Sequence, residues 1–130
     1  MTLAHRLPLI VATALLSACA STSKSLQVQD QGQCPLNLSE GQQLILSLPS
    51  NPTTGYRWTL REDAASVLKS LGPEVYSANN EAGLVGGDGH STWRFQALRS
   101  GEAPLLLAYV QPWDAGAEPA QIFDCRVIVR

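Results

Sequence analysis

Period-two alternation of apolar residues, broken about every 8–12 residues by turn-forming types, is the property that most limits what this chain can become. Leu44, Leu46 and Leu48 alternate with Gln43, Ile45 and Ser47 until Pro49 ends the run. Successive strand side chains point to opposite faces, so those leucines share one face and require a core. Trp93, Phe95 and Ala97 repeat the pattern against Thr92, Arg94 and Gln96, and Arg99-Ser100-Gly101 turns the chain. In the last segment Phe123, Cys125, Val127 and Val129 share a face, with Asp124, Arg126 and Arg130 mostly opposite. Cys125 is thus expected to point inward. Tyr56, Trp58 and Leu60 form a further strand with Arg57 and Thr59 outward, and Leu105 to Val110 reads as a central strand buried on both faces.

Weaker segments fill the gaps. Pro73 to Ala78 reads as a strand, and Val67, Leu68 and Leu71 fit either one helical turn or a short strand. Leu26–Gln29 fits a short edge strand, and Gly32 to Leu38 leads Cys34 into the domain. A chain of 130 residues supports one domain with a real core. Ten glycines and eight prolines, without long helical periodicity, agree with an all-β class. Seven to eight short strands point to an immunoglobulin-like β-sandwich.

The start of the chain has a different character. His5 and Arg6 precede an apolar run from Leu7 to Leu16, too short to span a bilayer permanently. The run ends Leu16-Ser17-Ala18-Cys19, which resembles the lipobox of bacterial lipoprotein signal peptides. The resemblance implies a signal over residues 1–18, lipidation of Cys19, and a polar tether over residues 19–33 ahead of a domain at 34–130. A plain secretory signal is the alternative. Two long acyl chains give stable anchoring, at about 0.8 kcal/mol per buried CH₂. Ala20 follows the cysteine where an Asp would imply inner-membrane retention, so the expected location is the outer membrane, facing the periplasm or the exterior.

Export places the chain where cysteines pair. With Cys19 lipidated, Cys34 and Cys125 remain for a disulfide, two free thiols being the alternative. Closing a loop of about ninety residues contributes on the order of 4–5 kcal/mol in the chain-entropy model.

Three connections have unusual composition. Asn51-Pro52-Thr53-Thr54-Gly55 is stiff, with proline fixing one φ, two β-branched residues following, and a glycine that permits a left-handed angle. Asn79 to Gly89 is rich in glycine and asparagine, and Gln111 to Ala120 opens with Pro112-Trp113. In a sandwich alternate connections emerge at one end, so these three are expected to cluster into a binding edge.

At this point the sequence resembles the chagasin family, proteinaceous inhibitors of papain-like cysteine proteases. Asn51-Pro52-Thr53-Thr54-Gly55-Tyr56 fits the family's Asn-Pro-Thr-Thr-Gly-aromatic loop completely. Leu84-Val85-Gly86-Gly87-Asp88-Gly89 fits its Gly-x-Gly-Gly loop, with Asp88 in the third place. Tyr109-Val110-Gln111-Pro112-Trp113 fits its Arg-Pro-Trp loop, with Gln111 in place of arginine. The resemblance implies a monomeric, non-enzymatic, reversible inhibitor whose first loop enters the protease cleft, flanked by Gly86, Gly87, Asp88 and Gly89 on one side and Gln111, Pro112 and Trp113 on the other. The target could be a protease of the same cell or of a host. Without the arginine, Gln111 makes no charge-assisted contact, a loss on the order of 1–3 kcal/mol where such a contact is buried. Asp88 adds charge and restricts the backbone, so altered selectivity is expected.

Other readings carry less. Tyr56, Trp58, Trp93 and Phe95 alternate within strands and fit a core, with Tyr109 a support for the adjoining loop. His90 lacks a second histidine nearby, and Glu62-Asp63, Asp114 and Glu118 read as solvated loop charges rather than paired catalytic carboxylates. Gly86-Gly87-Asp88-Gly89 lacks the lysine and the β–α context of a phosphate loop. No metal-ligand spacing is present and no cofactor is implied. A net charge of −2 without a basic stripe argues against nucleic acid. The alternative function is an envelope-structural or adhesion lipoprotein that carries the sandwich without inhibiting anything.

Overall fold

A computed structural model describes residues 2–6, 8–15, 24–79, 88–114 and 116–130. Nine strands form among them: Leu26–Val28 (β1), Leu36–Leu38 (β2), Gln43–Ser50 (β3), Arg57–Asp63 (β4), Leu68–Ser70 (β5), Val75–Ala78 (β6), Gly89–Ala97 (β7), Gly101–Val110 (β8) and Gln121–Val129 (β9). One sheet has the order β1-β3-β7, with β5 and β6 both paired to the far side of β7. The second runs β2-β9-β8-β4. The alternating segments behave as their periodicity requires. Leu44, Leu46, Trp93 and Phe95 of the first sheet and Leu105, Leu107, Phe123, Cys125 and Val127 of the second are all buried in one core. Each large apolar side chain so buried stabilises the fold by about 1.5–3 kcal/mol relative to exposure.

Two features differ from the sequence expectation. Leu60 is 38% exposed, because the β4–β8 register shifts between Leu60 and Glu62 and the strand no longer keeps its face. In β8, Leu106 is half-buried rather than enclosed, whereas Ala108 and Val110 on the same side are buried. Of the nine strands described, β1, β2 and β5 are only three residues long. Val67 and Leu68 are buried at the start of β5, while Leu71 is 42% exposed.

The folded unit includes residues ahead of Cys34. β1 lies parallel to β3, pairing Leu26 with Leu44 and Val28 with Leu46, and Val28 is fully buried. Cys34 and Cys125 form a disulfide with Cα atoms 5.4 Å apart at a sequence separation of 91. It ties the approach to β2 onto the centre of β9. Among the described residues no helix is long and apolar enough to cross a membrane.

Register decides where the connections go. β3 ends with Ser50 opposite Gly89, and β4 begins with Arg57 opposite Val110. β9 begins with Gln121 opposite Tyr109. The strand ends that flank residues 51–56, 79–88 and 111–120 therefore lie at one pole. The opposite pole is closed by backbone pairs, Gly41 N–H to Ala97 O at 2.7 Å and Arg130 N–H to Leu38 O at 2.9 Å.

Candidate functional site

The turn between β3 and β4 is built by its own residues. Asn51 is extended (φ −134°, ψ 94°), as a residue before proline should be, and Pro52–Thr54 form one turn of 3₁₀-helix. Asn51 caps that turn. Its Oδ1 accepts from Thr53 N–H at 3.1 Å and from Thr53 Oγ1 at 2.5 Å. Thr54 Oγ1 donates to Asn51 O at 2.7 Å and accepts from Tyr56 N–H at 3.3 Å. Gly55 then closes the turn at φ 80°, the left-handed region open to glycine. The two threonines remain exposed at the tip, while Asn51, Pro52 and Gly55 are half-buried.

Aromatic residues from the second sheet fix where this turn sits. Tyr109, near the end of β8, is 7% exposed, and its hydroxyl accepts from Asn51 N–H at 2.9 Å. Trp58 Nε1 donates to Pro49 O at 2.9 Å, holding the last part of β3. The Tyr109 ring stacks on Tyr56 at 5.2 Å between centroids and tilts against Trp58 at 4.9 Å. Rings packed in this way contribute about 0.5–1.5 kcal/mol per pair beyond the area they bury. The turn thus stands beside three rings, with the Tyr109 hydroxyl holding its backbone and Trp58 holding the end of the strand before it. Tyr56 and Trp58 sit in or beside the core as the strand pattern indicates.

Neighbouring connections close around the turn. Trp113 is 72% exposed, and its indole edge lies against Gly55 so closely that a Cβ built there would collide with the ring. Gln111 Nε2 donates to Thr54 O at 3.3 Å, and Asn51 Nδ2 donates to Asp88 Oδ1 at 3.4 Å. Asn51, Thr54, Asp88 and Tyr109 border one open depression of about 300 Å³. The structure therefore brings together Asn51, Pro52, Thr53, Thr54, Gly55, Asp88, Gln111 and Trp113, with Pro112 exposed beside the last of these. Gly89 is different. It opens β7, is buried, and packs against Ser77 O and the Tyr76 ring, so it belongs to the sheet rather than to the exposed loop. Gly86, Gly87, Leu84, Val85 and the lipobox Cys19 lie outside the described residues. His90 is half-exposed, and among the described residues no group of three or more His, Cys, Asp and Glu side chains could hold a metal.

Sequence reasoning missed both cross-loop hydrogen bonds and the grip of Trp58 on Pro49. Asparagine two residues before threonine signals the cap. Nothing local signals partners 37 or 57 residues away.

Comparison with known proteins agrees with this geometry. Residues 37–127 match the sequence model described as "Chagasin family peptidase inhibitor I42". Amoebiasin-2 of Entamoeba histolytica is 25% identical over 115 residues, covering 86% of this chain and 92% of its own length. The crystal structure of the cysteine protease inhibitor EhICP2 from Entamoeba histolytica superposes with a TM-score of 0.70 at 22% identity, over 82% of this chain and 96% of that one. PbICP-C, solved in complex with falcipain-2, gives a TM-score of 0.53 at 18% identity, over 82% and 92%.

Proposed function

This chain belongs to the chagasin family of peptidase inhibitors, and from that membership and its clustered loops we propose that it plugs the active-site cleft of papain-like cysteine proteases. The family consists of inhibitors of such proteases and not of enzymes. The Asn51–Gly55 turn is the plug. Its tip of Thr53, Thr54 and Gly55 is slim enough for backbone to approach a narrow slot, and it offers no large or basic side chain for a protease to grip as substrate. Trp113 and Pro112 contact one wall of the cleft, and the segment Gly86, Gly87, Asp88 contacts the other. PbICP-C, which shares the fold, was solved bound to falcipain-2, a precedent for a protease complex on this scaffold.

The observation that carries this reading is the capped 3₁₀ turn seated on Tyr109, with Trp113 against Gly55. A turn whose residues are already fixed loses little conformational freedom on binding, and each side chain it need not order saves about 0.5–1.5 kcal/mol. The test is a panel of papain-like proteases titrated with purified protein. The expectation is reversible inhibition at or below micromolar concentration. Unchanged activity across the panel would remove the reading.

The same protein is proposed to be exported and lipidated at Cys19, with the outer membrane as its site, where a protease of the cell or of a host would be met. The support is the Leu16-Ser17-Ala18-Cys19 sequence, and the fold is compatible with it. β1 runs parallel to β3, so the chain joins the sandwich at the pole opposite the plug, where Gln42 Nε2 donates to Lys24 O at 2.6 Å. A membrane at that end would leave the plug pointing outward. Incorporation of labelled fatty acid that persists in Cys19→Ala would sink the anchoring proposal.

A further inference from the structure

Two positions depart from the family's loop motifs, Asp88 and Gln111, and the structure engages both in the same task. We propose that they are positioning residues, which brace the plug turn from its two sides before any protease arrives. The proposal rests on the inhibitor reading above.

The turn has two ends, and each is met by a different neighbouring connection. At its start, Asn51 commits Oδ1 to Thr53, accepting from both N–H and Oγ1. That fixes the amide with Nδ2 turned to the other side. Asp88, whose ionised carboxylate only accepts, lies 3.4 Å away. At its end, Thr54 O receives no hydrogen bond from within the turn, as expected of a terminal helical carbonyl. Gln111 Nε2 supplies one at 3.3 Å. Between the two, the Trp113 ring covers Gly55.

The side-chain chemistry suits an internal brace. Gln111 is half-buried, and a neutral amide loses less on leaving water than a guanidinium would. A glycine at position 88 would offer no acceptor to Asn51. Relative to the family's motif, this chain has an amide in place of a guanidinium and a carboxylate in place of a glycine, and both bond to the turn. Less remains to be ordered on binding, so the advantage belongs to the association step.

The test uses the full chain and papain. Gln111→Met keeps length and removes the donor, Asp88→Ala removes the acceptor, and Asp88→Asn keeps an acceptor oxygen. Amide exchange at Thr54, Gly55 and Tyr56 is read in the free protein, and kon and koff are read by stopped flow. For Gln111→Met the expectation is exchange about five- to tenfold faster and kon about tenfold lower, with koff changed less than threefold and the melting temperature unmoved. Asp88→Ala follows with about threefold effects, and Asp88→Asn keeps the parent's exchange rates in the free protein. Slower binding with unchanged exchange in the free protein would overturn the proposal, because the residues would then act by touching the protease. Faster exchange with unchanged kon would overturn it as well. If the unmodified protein fails to inhibit papain and the rest of the panel, the inhibitor reading falls first, and that failure is seen without any variant.

Discussion

The pole where Arg130 meets residues 38–42 is closed by main-chain pairs, to which side chains such as Gln42 on Lys24 and Glu40 on Ser100 add. Arg130 N–H reaches Leu38 O, Glu40 N–H reaches Arg130 O, and Gly41 and Ala97 complete the closure. At the loop pole the work passes to side chains: Tyr109 on Asn51, Trp58 on Pro49, Gln111 on Thr54, Asp88 on Asn51. Main-chain pairs depend little on residue type, whereas side-chain bonds vanish with a single substitution. The difference separates two duties. Core and closed pole set whether the chain folds, and the loop pole sets the shape that it presents once folded.

That division can be broken from either side. The largest effect is expected in the core. Phe123→Ala removes a fully enclosed ring from β9 and should cost about 3–5 kcal/mol of unfolding free energy, read by urea denaturation. Inhibition by the fraction that remains folded should be unchanged. A weakened inhibition constant in that fraction would show that core and loops are not separable. Trp113→Ala is the converse. The ring is mostly in solvent, so stability should stay within about 0.5 kcal/mol, while inhibition weakens by about thirtyfold or 2 kcal/mol.

Tyr109→Phe probes the seam between the regions. The ring keeps its stacking on Tyr56 and Trp58, but Asn51 N–H loses its acceptor in a part-buried setting. A loss of about 1–2 kcal/mol in stability is expected together with about tenfold weaker inhibition. An effect on only one of the two would place Tyr109 wholly on one side of the division. The smallest change should be a gain. Ser91 lies in β7 beneath the loop pole, fully buried, with no hydrogen-bond partner for its hydroxyl among the described residues. Ser91→Ala should raise stability by about 1 kcal/mol and leave inhibition alone. A loss of stability would mean that the hydroxyl has a partner after all, such as a buried water.

Much of the fold was legible because period-two patterning reports burial directly. Leu44, Leu46 and Leu48, then Trp93, Phe95 and Ala97, then Phe123, Cys125, Val127 and Val129 all enter the core that their alternation demands. The pairing of Cys34 with Cys125 followed from compartment and count, and the structure contains it. Leu60 misled because the register shift beside it leaves no mark in its neighbours. β2 and β5 are too short to display a period, and their pairing comes from β9 and β7 far along the chain. At the site, the stiff turn was readable from Pro52 and Gly55 because those residues restrict their own backbone. Its braces were not, since Gln111 and Asp88 act on partners that sequence proximity does not reveal. As motif departures they marked a loss; in the structure each has a partner within the protein.

The claim that matters most is that the Asn51–Gly55 turn occupies a protease's active-site cleft. Shielding of the protease's catalytic cysteine tests it most directly. Papain is mixed with increasing amounts of the full chain, and the rate at which a small thiol-alkylating reagent modifies its active-site cysteine is followed. The account predicts that alkylation slows in proportion to the inhibited fraction, and that Trp113→Ala shifts both curves together to higher concentration. Full inhibition of peptide hydrolysis with alkylation as fast as in free papain would contradict it, because binding would then lie away from the cysteine.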